Sequence, residues 1–437
     1  MKLRTGIVFL TAALGGFAQE PSRGSLAPAA DHHVHLRSPA LTQLLGEHIP
    51  SVVLPADLLA LLKEFETHTR ARNAGALAAL FMPDGVMQVG RDWQRGPSGI
   101  HLSMLGRGSN VRFHAQAFGS DAAVGFIAGS YAGNTEAAPG DRGRFMLALR
   151  RSTDGPWRVA AATLTDLPAE TREPATTVEQ LVAQLDAAGI RHAVLLSWAY
   201  QFGAVNRQPE DELAKVRAEN IWTAEQAARF PDRLVSFCSL NPLKDYASDE
   251  LDRCMRDNRM AGLKLHFTTA GVDLKDVQHV SRLRAIFRSA NMRRFPIVLH
   301  MRTLDPSYGR RDAEVMLNEI LPEAPDTVVH IAHLAGWGGY GAETDAALDV
   351  FAAAAAAGDP RVANLYFDVA AVVGGSSAET KATIVRRIRQ LGVTRILFAI
   401  DGPVTKEPWD LFRTLPLDEA ELRTIAGNRA PYLQRAR

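Results

Sequence analysis

The stretch Asp31-His32-His33-Val34-His35, near the start of the 437-residue chain, predicts a β-strand that carries two imidazoles on one side. Successive side chains of a strand point to opposite faces, so His33 and His35 point the same way. Neutral imidazoles are common ligands of zinc and similar ions, and two at this spacing can share one ion. The pair alone is a weak indication. It is strengthened by three ionisable residues that each end a later predicted strand, namely His300, His333 and Asp401.

Eight predicted strands alternate with predicted helices, and together they indicate an α/β fold. The middles of these strands are His33, Leu195, Phe237, Leu265, Val298, Val329, Phe367 and Leu397. Most of the strands are apolar throughout, as strands buried on both faces are. Eight parallel strands that alternate with helices close into a (β/α)8 TIM barrel, whose active site lies at the carboxyl ends of the strands.

Residues 54–167 interrupt this alternation. Four apolar residues recur at helical spacing in an otherwise charged segment, namely Leu58, Leu61, Leu62 and Phe65. Apolar strands joined by hairpin-type turns follow, and this order is typical of an α+β domain. Because the first barrel strand precedes the segment, the sequence predicts an α+β domain inserted after strand 1. The barrel then comprises residues 19–53 and 168–437.

The first residues have the pattern of an export signal. Lys2 and Arg4 precede a short apolar core at residues 6–14, which is too short to span a bilayer. Gly16-Phe17-Ala18 supplies small residues for cleavage. We therefore expect a signal peptide over residues 1–18 and a periplasmic or secreted protein. The alternative is a buried N-terminal helix or strand.

Composition excludes some partners. The net charge is +1, and no dense run of Lys and Arg is interleaved with aromatic residues, so neither nucleic acid nor an anionic membrane is expected as a partner. The two cysteines, Cys238 and Cys254, are too few for a disulfide scaffold. We expect buried free thiols, although an oxidising compartment would permit a bridge.

The inserted segment resembles the SnoaL-like, or nuclear-transport-factor-like, cone fold. The residues that carry the resemblance are Phe81-Met82-Pro83-Asp84-Gly85 and the closing strands around Arg144-Phe145-Met146-Leu147-Ala148-Leu149-Arg150-Arg151 and Gly155-Pro156-Trp157-Arg158-Val159. Domains of this fold can be enzymes, pocket binders or dimerisation modules. The resemblance therefore implies a possible homodimer that forms through the sheets.

The barrel segments resemble the amidohydrolase superfamily. The motifs are Asp31-x-His33-x-His35, Gly262-Leu263-Lys264-Leu265-His266, Val298-Leu299-His300, Ala332-His333-Leu334-Ala335-Gly336 and Phe398-Ala399-Ile400-Asp401-Gly402-Pro403. More narrowly, they resemble the amidohydrolase-related branch that contains aminocarboxymuconate-semialdehyde decarboxylase. Two departures are Gly402, where the family more often has a bulky residue, and Ala335, where glycine is usual. Neither removes a ligand.

The resemblance implies one divalent metal ion, expected to be zinc, held by His33, His35, His300 and Asp401. A water at an open position would lose its proton to Asp401, since the ion lowers the pKa of water from near 16 to about 7. His333 would polarise the substrate carbonyl or relay a proton. Asp31 would orient one of the ligand imidazoles.

The remaining candidates are assigned to the small-molecule substrate. They are His266, Lys264, Arg302 and Trp337. Some members of the superfamily use a carboxylated lysine on strand 4 to bridge two metals, so a second ion at Lys264 is an alternative to an ion pair with an acid or a substrate carboxylate. His330 is out of phase with His333 along the strand and is expected to point outward among the helices.

Three functions remain open on the sequence. The first is an exported metal-dependent hydrolase of an amide, ester or lactone bond. The second is a metal-dependent non-oxidative decarboxylase of a small carboxylic acid, which is the chemistry of the branch that the motifs resemble. The third is a binding protein with a catalytically idle barrel.

Overall fold

The structure, a computed structural model, describes residues 26–46, 51–89, 92–105, 111–133, 141–151, 155–166, 176–207 and 209–433. The predicted signal peptide lies outside these residues, as does most of the segment that joins the insert to the barrel. None of the helices in the described part of the chain has the length and apolar character needed to cross a membrane.

Among the described residues, fourteen strands form two sheets. In chain order they are β1 (Ala30–Val34), β2 (Phe81–Val89), β3 (Asp92–Arg95), β4 (Val111–Ser120), β5 (Val124–Gly133), β6 (Asp141–Arg150), β7 (Arg158–Asp166), β8 (His192–Leu196), β9 (Leu234–Ser239), β10 (Met260–His266), β11 (Ile297–His300), β12 (Val329–Ile331), β13 (Leu365–Asp368) and β14 (Ile396–Leu397).

The α-helices of the described residues lie between and after these strands. In chain order they are α1 (Pro39–Gly46), α2 (Ala56–Arg70), α3 (Ala74–Ala79), α4 (Gly96–Met104), α5 (Val178–Ala188), α6 (Glu212–Ala228), α7 (Ala247–Arg256), α8 (Phe267–Ala270), α9 (Val277–Met292), α10 (Arg310–Val315), α11 (Ala342–Ala356), α12 (Ala378–Leu391), α13 (Glu407–Phe412) and α14 (Glu419–Gly427).

The larger sheet confirms the predicted barrel. Its eight strands pair in the order β1-β8-β9-β10-β11-β12-β13-β14, and every pairing is parallel. The two ends of the sheet meet through the backbone: His32 N donates to Phe398 O at 3.1 Å, and Asp401 N donates to His33 O at 2.9 Å. These bonds join strand 1 to the segment that follows β14 and close the cylinder.

Side chains alternate between the barrel interior and the surrounding helices. One set from β8, β9, β11 and β14 packs together with the C-terminal Tyr432, while the alternate residues of the same strands, such as Leu195 and Leu299, pack with the helices. Tyr432 belongs to a short 3-10 turn, Pro431–Leu433, and is 2% exposed. The last described residues therefore fill part of the barrel interior.

The smaller sheet is the predicted insertion. Its strands pair in the order β3-β2-β7-β6-β5-β4, and β4 to β7 form an antiparallel meander. The apolar face of α2 packs into this domain, where Phe65 is fully buried and its ring lies 5.6 Å from that of Phe113. The core of the insert is separate from that of the barrel, as expected for a domain inserted after strand 1.

The expectation of free thiols is wrong. Cys238 of β9 and Cys254 of α7 form a disulfide, with their Cα atoms 6.3 Å apart. Helix α7 runs back alongside the strand that precedes it and buries Leu251 and Cys254 against the barrel. The sequence could not fix the angle at which the helix returns, and that angle decides whether the two thiols meet.

The segment that follows β1 is anchored by a buried carboxyl. Ser38 Oγ donates to Glu219 Oε2 on α6, and Glu219 is 2% exposed. Its Oε1 has no hydrogen-bond partner in the part of the chain that the structure describes. Burial raises the pKa of Glu219 to about 7, with the Ser38 hydrogen bond acting in the opposite direction. The folded state therefore holds a proton at Glu219 at pH values where the unfolded chain has released it.

This anchor predicts a pH-dependent stability. Because the folded pKa of Glu219 lies above its usual value of 4.5, its contribution is complete below about pH 4.5 and is lost as the pH rises through about 7. The variant Glu219→Gln, an uncharged mimic of the protonated acid, should match the wild type at pH 5. At pH 8 it should be more stable by an amount on the order of 2 kcal/mol. Thermal unfolding at the two pH values measures the difference, and an equal difference at both would contradict this explanation.

Candidate metal centre

Asp401 lies at the centre of the site, directly after the last barrel strand. Its Oδ1 lies 3.6 Å from His33 Nε2 and 3.5 Å from His35 Nε2, and its Oδ2 lies 3.2 Å from His333 Nε2. Closure of the barrel between β1 and the segment that follows β14 thus brings together residues far apart in the chain. Donor atoms of His33, His333 and Asp401 all lie within 4.8 Å of one another, a separation that one ion could span.

The other ring nitrogen of each imidazole has its own acceptor. His33 Nδ1 donates to Asp368 Oδ2 at 3.1 Å, His35 Nδ1 to Leu196 O at 2.7 Å, and His333 Nδ1 to Ala370 O at 2.9 Å. An acceptor at Nδ1 places the proton there, so Nε2 of a neutral ring carries a lone pair instead of a proton. This pattern of an outer hydrogen bond that orients an imidazole is typical of metal-binding histidines.

Burial sets the charge of these groups. It lowers the pKa of His33 to about 4 and that of His35 to about 3, so both rings are neutral at neutral pH, as ligands must be. Burial works against the charge on Asp401, but the imidazoles of His33, His333 and His35 outweigh it and hold the pKa of the carboxyl well below its usual range. The site therefore offers neutral nitrogens beside an ionised oxygen.

His333 differs from the other imidazoles in its charge. Burial opposes its protonation, but the hydrogen bond to Asp401 and the charge of Asp368 outweigh burial and raise the pKa of His333. Both of its ring nitrogens face acceptors, since Nδ1 contacts Ala370 O and Nε2 contacts Asp401. Before any ion binds, His333 is thus the imidazole best placed to carry a second proton.

His300 lies next to this group rather than within it. It ends β11, is 3% exposed, and its ring centroid lies 5.3 Å from that of His333. Its Nδ1 is buried and has no hydrogen-bond partner among the described residues, which costs on the order of 1–3 kcal/mol unless something binds it. The position and the unpaired nitrogen both suit the ligand role predicted for His300.

Lys264 is the central cation of the site. It is fully buried on β10, and its Nζ donates to His33 Nε2 at 3.1 Å. Burial lowers the pKa of Lys264 to about 8. Within the described residues no carboxylate oxygen lies within 4.0 Å of Nζ, so the ion pair with an acid that the sequence suggested is not formed by a protein side chain.

Aromatic rings form one wall. His266 is stacked between Tyr200, at a centroid distance of 4.9 Å, and His300, at 3.9 Å. The ring centroid of Trp337 lies 5.2 Å from that of His300 and 6.2 Å from that of His266, with the indole plane nearly perpendicular to both. Trp198 packs 4.4 Å from His35 and so extends the wall to the first strand. Of the predicted substrate-binding residues, His266 and Trp337 therefore lie beside the metal-ligand candidates.

Arg302 faces a neighbouring cavity of about 400 Å³. Trp337, Thr303, Glu343 and the glycine-rich segment 338–341 also line it. The guanidinium of Arg302 lies 3.3 Å from Glu343 Oε1 and 5.1 Å above the ring of Tyr308. The cavity adjoins the metal-ligand candidates through Trp337, which contacts His300 on its other side.

Asp31 contacts backbone rather than an imidazole. Its Oδ1 accepts from His33 N and from Ile400 N, both at 3.1 Å, and its Oδ2 has no partner. Asp31 thus ties strand 1 to the segment that leads to Asp401. The ring of His33 is oriented instead by Asp368, a residue that the sequence analysis missed although it ends the seventh strand.

The prediction that His330 points outward is wrong. His330 is completely buried, its Nε2 lies 2.9 Å from Asp368 Oδ2, and its Nδ1 lies 2.9 Å from the hydroxyl of Tyr432. The prediction assumes that the strand continues to His333 with its side chains alternating between two faces, but β12 ends at Ile331. His333 lies in a left-handed turn with φ of 56°, so its direction says nothing about the phase of His330.

Left-handed backbone concentrates at the site. His333, Leu334 and Ala335 have φ of 56°, 49° and 66°, and Asp401 has φ of 51°. Each costs on the order of 1–2 kcal/mol for a residue with a Cβ atom. At Ala335, where glycine is usual in the family that the motifs resemble, the carbonyl accepts a hydrogen bond of 2.5 Å from Tyr308 OH, which holds the turn.

Comparisons with known proteins place this geometry in a family. The sequence profile of the Amidohydrolase family matches residues 197–428, more than half of the 437 residues. No curated protein matches the chain.

Solved structures similar to the barrel include two decarboxylases. A 2,6-dihydroxybenzoate decarboxylase from Rhizobium is 19% identical, with a TM-score of 0.41, and the match covers 59% of this chain and 87% of that one. A dihydroxybenzoic acid decarboxylase from Polaromonas sp. JS666, with bound manganese and the inhibitor 2-nitroresorcinol, is 19% identical, with a TM-score of 0.43 and coverage of 59% and 86%.

A third similar structure matches a smaller part of the chain. It is a ketosteroid isomerase-like protein from Erwinia carotovora atroseptica, 18% identical with a TM-score of 0.23, and the match covers 26% of this chain and 95% of that one. Since the family profile matches more than half of the chain, including the barrel strands from β9 to β14, the chain belongs to the amidohydrolase family.

Proposed function

We propose that the protein is an exported, metal-dependent enzyme that acts on a small carboxylic acid. Non-oxidative decarboxylation is the first candidate reaction, and hydrolysis of an amide, ester or lactone bond is the second. The observation that carries the proposal is the convergence of His33 Nε2, His35 Nε2 and His333 Nε2 on the Asp401 carboxylate.

The donors fit a divalent ion. His33, His35 and Asp401 would hold it, and His300, whose buried Nδ1 lacks a partner, would complete the set. Imidazole nitrogens with one carboxylate oxygen suit zinc, which is our expectation for the ion; manganese is bound in the Polaromonas enzyme. When bound, the ion supplies a Lewis acid that stabilises negative charge as it develops on the substrate.

The balance of buried charge favours an anionic substrate. Lys264 and a divalent ion carry three positive charges, and a protonated His333 adds a fourth. The two carboxylates that contact His33, those of Asp368 and Asp401, carry two negative charges. An uncompensated buried charge is costly, so an anion from outside the protein would complete the site. A substrate carboxylate beside Lys264 does this.

The aromatic rings around the site indicate the shape of the substrate. The stacked rings of Tyr200, His266 and His300, with the perpendicular ring of Trp337, form an aromatic wall against which a planar group can pack. Arg302 in the adjoining cavity offers a guanidinium that can bind a second carboxylate or a phenolate in place of Glu343. We infer a small, planar acid as the substrate.

Decarboxylation uses His333 as the proton donor. Lys264 holds the substrate carboxylate, the bond from this carboxylate to its carbon breaks, and carbon dioxide leaves. The electron pair stays on the carbon, which takes the proton from His333 Nε2. The contact of Nε2 with Asp401 Oδ2 at 3.2 Å favours the doubly protonated imidazole that this step requires.

Hydrolysis is the second candidate because Asp401 can also act as a general base while His333 acts as a general acid. Asp401 accepts a proton from a water as the water oxygen bonds to the substrate carbonyl carbon. His333 Nε2 donates a proton to the leaving nitrogen or oxygen as its bond to that carbon breaks. The observation that favours this reaction is the carboxylate of Asp401, which is ionised and 29% exposed at the mouth of the site.

Export and dimer formation are proposals as well. The pattern of residues 1–18 and the disulfide between Cys238 and Cys254 support export, because disulfides persist in oxidising compartments. The exposed apolar side chains of Phe126 and Met146 on the sheet of the insert support a homodimer.

The division of roles between His300 and His333 predicts two different losses. His300→Ala should lower the affinity for the ion by at least about tenfold, because it removes a ligand. His333→Ala should keep the ion and lower kcat by roughly 10²–10⁴-fold, because it removes the proton carrier. Elemental analysis and steady-state kinetics measure both, with His279→Ala on α9 as a control outside the site. Loss of the ion from the His333 variant, with retention in the His300 variant, would reverse the assignment.

The reaction is identified by its products. Incubation with aromatic carboxylates should release one carbon dioxide per substrate consumed, and removal of the ion by a chelator should abolish this release. Amides, esters and lactones of the same acids, tested in parallel, should react more slowly. Faster cleavage of these derivatives without carbon dioxide would establish hydrolysis instead. Tight binding of the acids with no turnover under zinc or manganese would leave a binding protein.

Arg302 predicts the part of the substrate that binds in the cavity. Arg302→Gln should raise KM for an acid with a second carboxylate by roughly 10–100-fold, the loss of one charge-assisted hydrogen bond. The KM for the same acid with that second group converted to an amide should change little. A uniform rise for both compounds would show that Arg302 acts through the shape of the cavity.

A further inference from the structure

Asp368 connects several parts of the site. It ends β13, is completely buried, and each of its oxygens accepts two hydrogen bonds. Oδ1 accepts from the backbone nitrogens of His333 at 2.7 Å and Ala370 at 3.1 Å. Oδ2 accepts from His33 Nδ1 at 3.1 Å and from His330 Nε2 at 2.9 Å. One carboxylate thus fixes a ligand ring and the turn that carries His333.

We infer that Asp368 is a positioning residue of the metal centre, which acts by fixing the tautomer of His33 through a chain that begins at Tyr432. The inference rests on the proposed metal site. Asp368 touches neither the substrate cavity nor Asp401 within hydrogen-bond distance in the described residues. Its effect therefore passes through the rings of His33 and His330 and through the backbone of His333 and Ala370.

The directions of the hydrogen bonds follow from the groups involved. Asp368 Oδ2 can only accept, so both His33 Nδ1 and His330 Nε2 must carry protons. His330 Nδ1 then accepts from the hydroxyl of Tyr432, at 2.9 Å. The chain Tyr432, His330, Asp368, His33 has one consistent arrangement of donors. That arrangement leaves His33 Nε2 without a proton, and its lone pair, which accepts from Lys264 Nζ at 3.1 Å, can serve as a ligand when an ion binds.

The chain also links the last described residues to the site. Tyr432 lies in the barrel interior, with its ring 5.0 Å from that of Phe237. Two residues earlier, the backbone nitrogen of Ala430 donates to His32 Nε2 at 3.2 Å, and His32 Nδ1 donates to Phe398 O at 2.9 Å. The C-terminal turn is thereby held against the first strand, on the residue next to His33.

The substitution Asp368→Asn separates the two effects of Asp368, which are to hold the turn that carries His333 and to fix the tautomer of His33. The two backbone N–H groups hold the amide oxygen at the position of Oδ1, so the turn after β12 is kept. The amide NH₂ then takes the place of Oδ2, where it can only donate. His33 can accept from it only by moving its own proton from Nδ1 to Nε2, which blocks the lone pair needed for the ion.

The experiment is a competition titration of zinc against a chelating dye, with the metal-free full-length protein. The wild type should bind one ion, and Asp368→Asn should raise the dissociation constant by roughly 10–100-fold. Asp312→Asn is the matched control, since Asp312 is a buried aspartate on α10 whose Oδ2 accepts from Gly309 N. Its dissociation constant should stay within about threefold of that of the wild type.

The outcomes separate this inference from the proposed function. No zinc binding by the folded wild type would overturn the proposed function itself. Tight binding by the wild type and equally tight binding by Asp368→Asn would overturn only the positioning role. A general effect of amide substitutions would lower affinity in both the Asp368 and the Asp312 variants, and it would also count against the positioning role.

A second measurement needs no variant of Asp368. Nitrogen-15 spectra of the histidine rings in the folded wild type report which nitrogen carries the proton, and the signals of His33 are identified by their loss in His33→Gln. The expected result is a proton on Nδ1 of His33. A proton on Nε2 would overturn the inference even if Asp368→Asn failed to fold.

Discussion

The contact between the first strand and the end of the last one organises the molecule. Asp401 N donates to His33 O, and Asp31 Oδ1 accepts from Ile400 N, so the closure of the barrel and the placement of the Asp401 carboxylate depend on the same few bonds. Because the side chains of strand 1 alternate, closure also sets His33 and His35 toward that carboxylate. A change that opened this seam would disperse the candidate ligands together with the fold.

Much of this could be predicted from the sequence. The apolar character of the eight strands and the helices between them predict the barrel that the structure has. The ionisable residues at the strand ends are exceptions to that apolar character, and they indicate the site. Parallel strands in a closed barrel leave little choice about which ends meet, so residues as distant as His33 and Asp401 could be placed together. The inserted domain was visible as a change from helix and strand alternation to an antiparallel meander.

The sequence could not predict in which direction some side chains point or which groups they contact. The sequence does not distinguish Asp368 from the other aspartates, because only the tertiary fold places its oxygens beside His33 and His330. His330 was misassigned because the strand ends before His333 and turns into left-handed backbone, a local geometry that the residue types do not encode. The pairing of Cys238 with Cys254 depended in the same way on the path of a helix.

The central claim is that imidazoles from several strands share one cation with Asp401. X-ray absorption at the metal edge of the purified full-length protein tests it most directly, because the spectrum reports the nearest atoms and the outer-shell scattering characteristic of imidazole. The account predicts about one ion per chain with two or more imidazoles and an oxygen ligand. An ion surrounded by oxygen alone, or a protein that retains no ion when supplied with zinc or manganese, would contradict it.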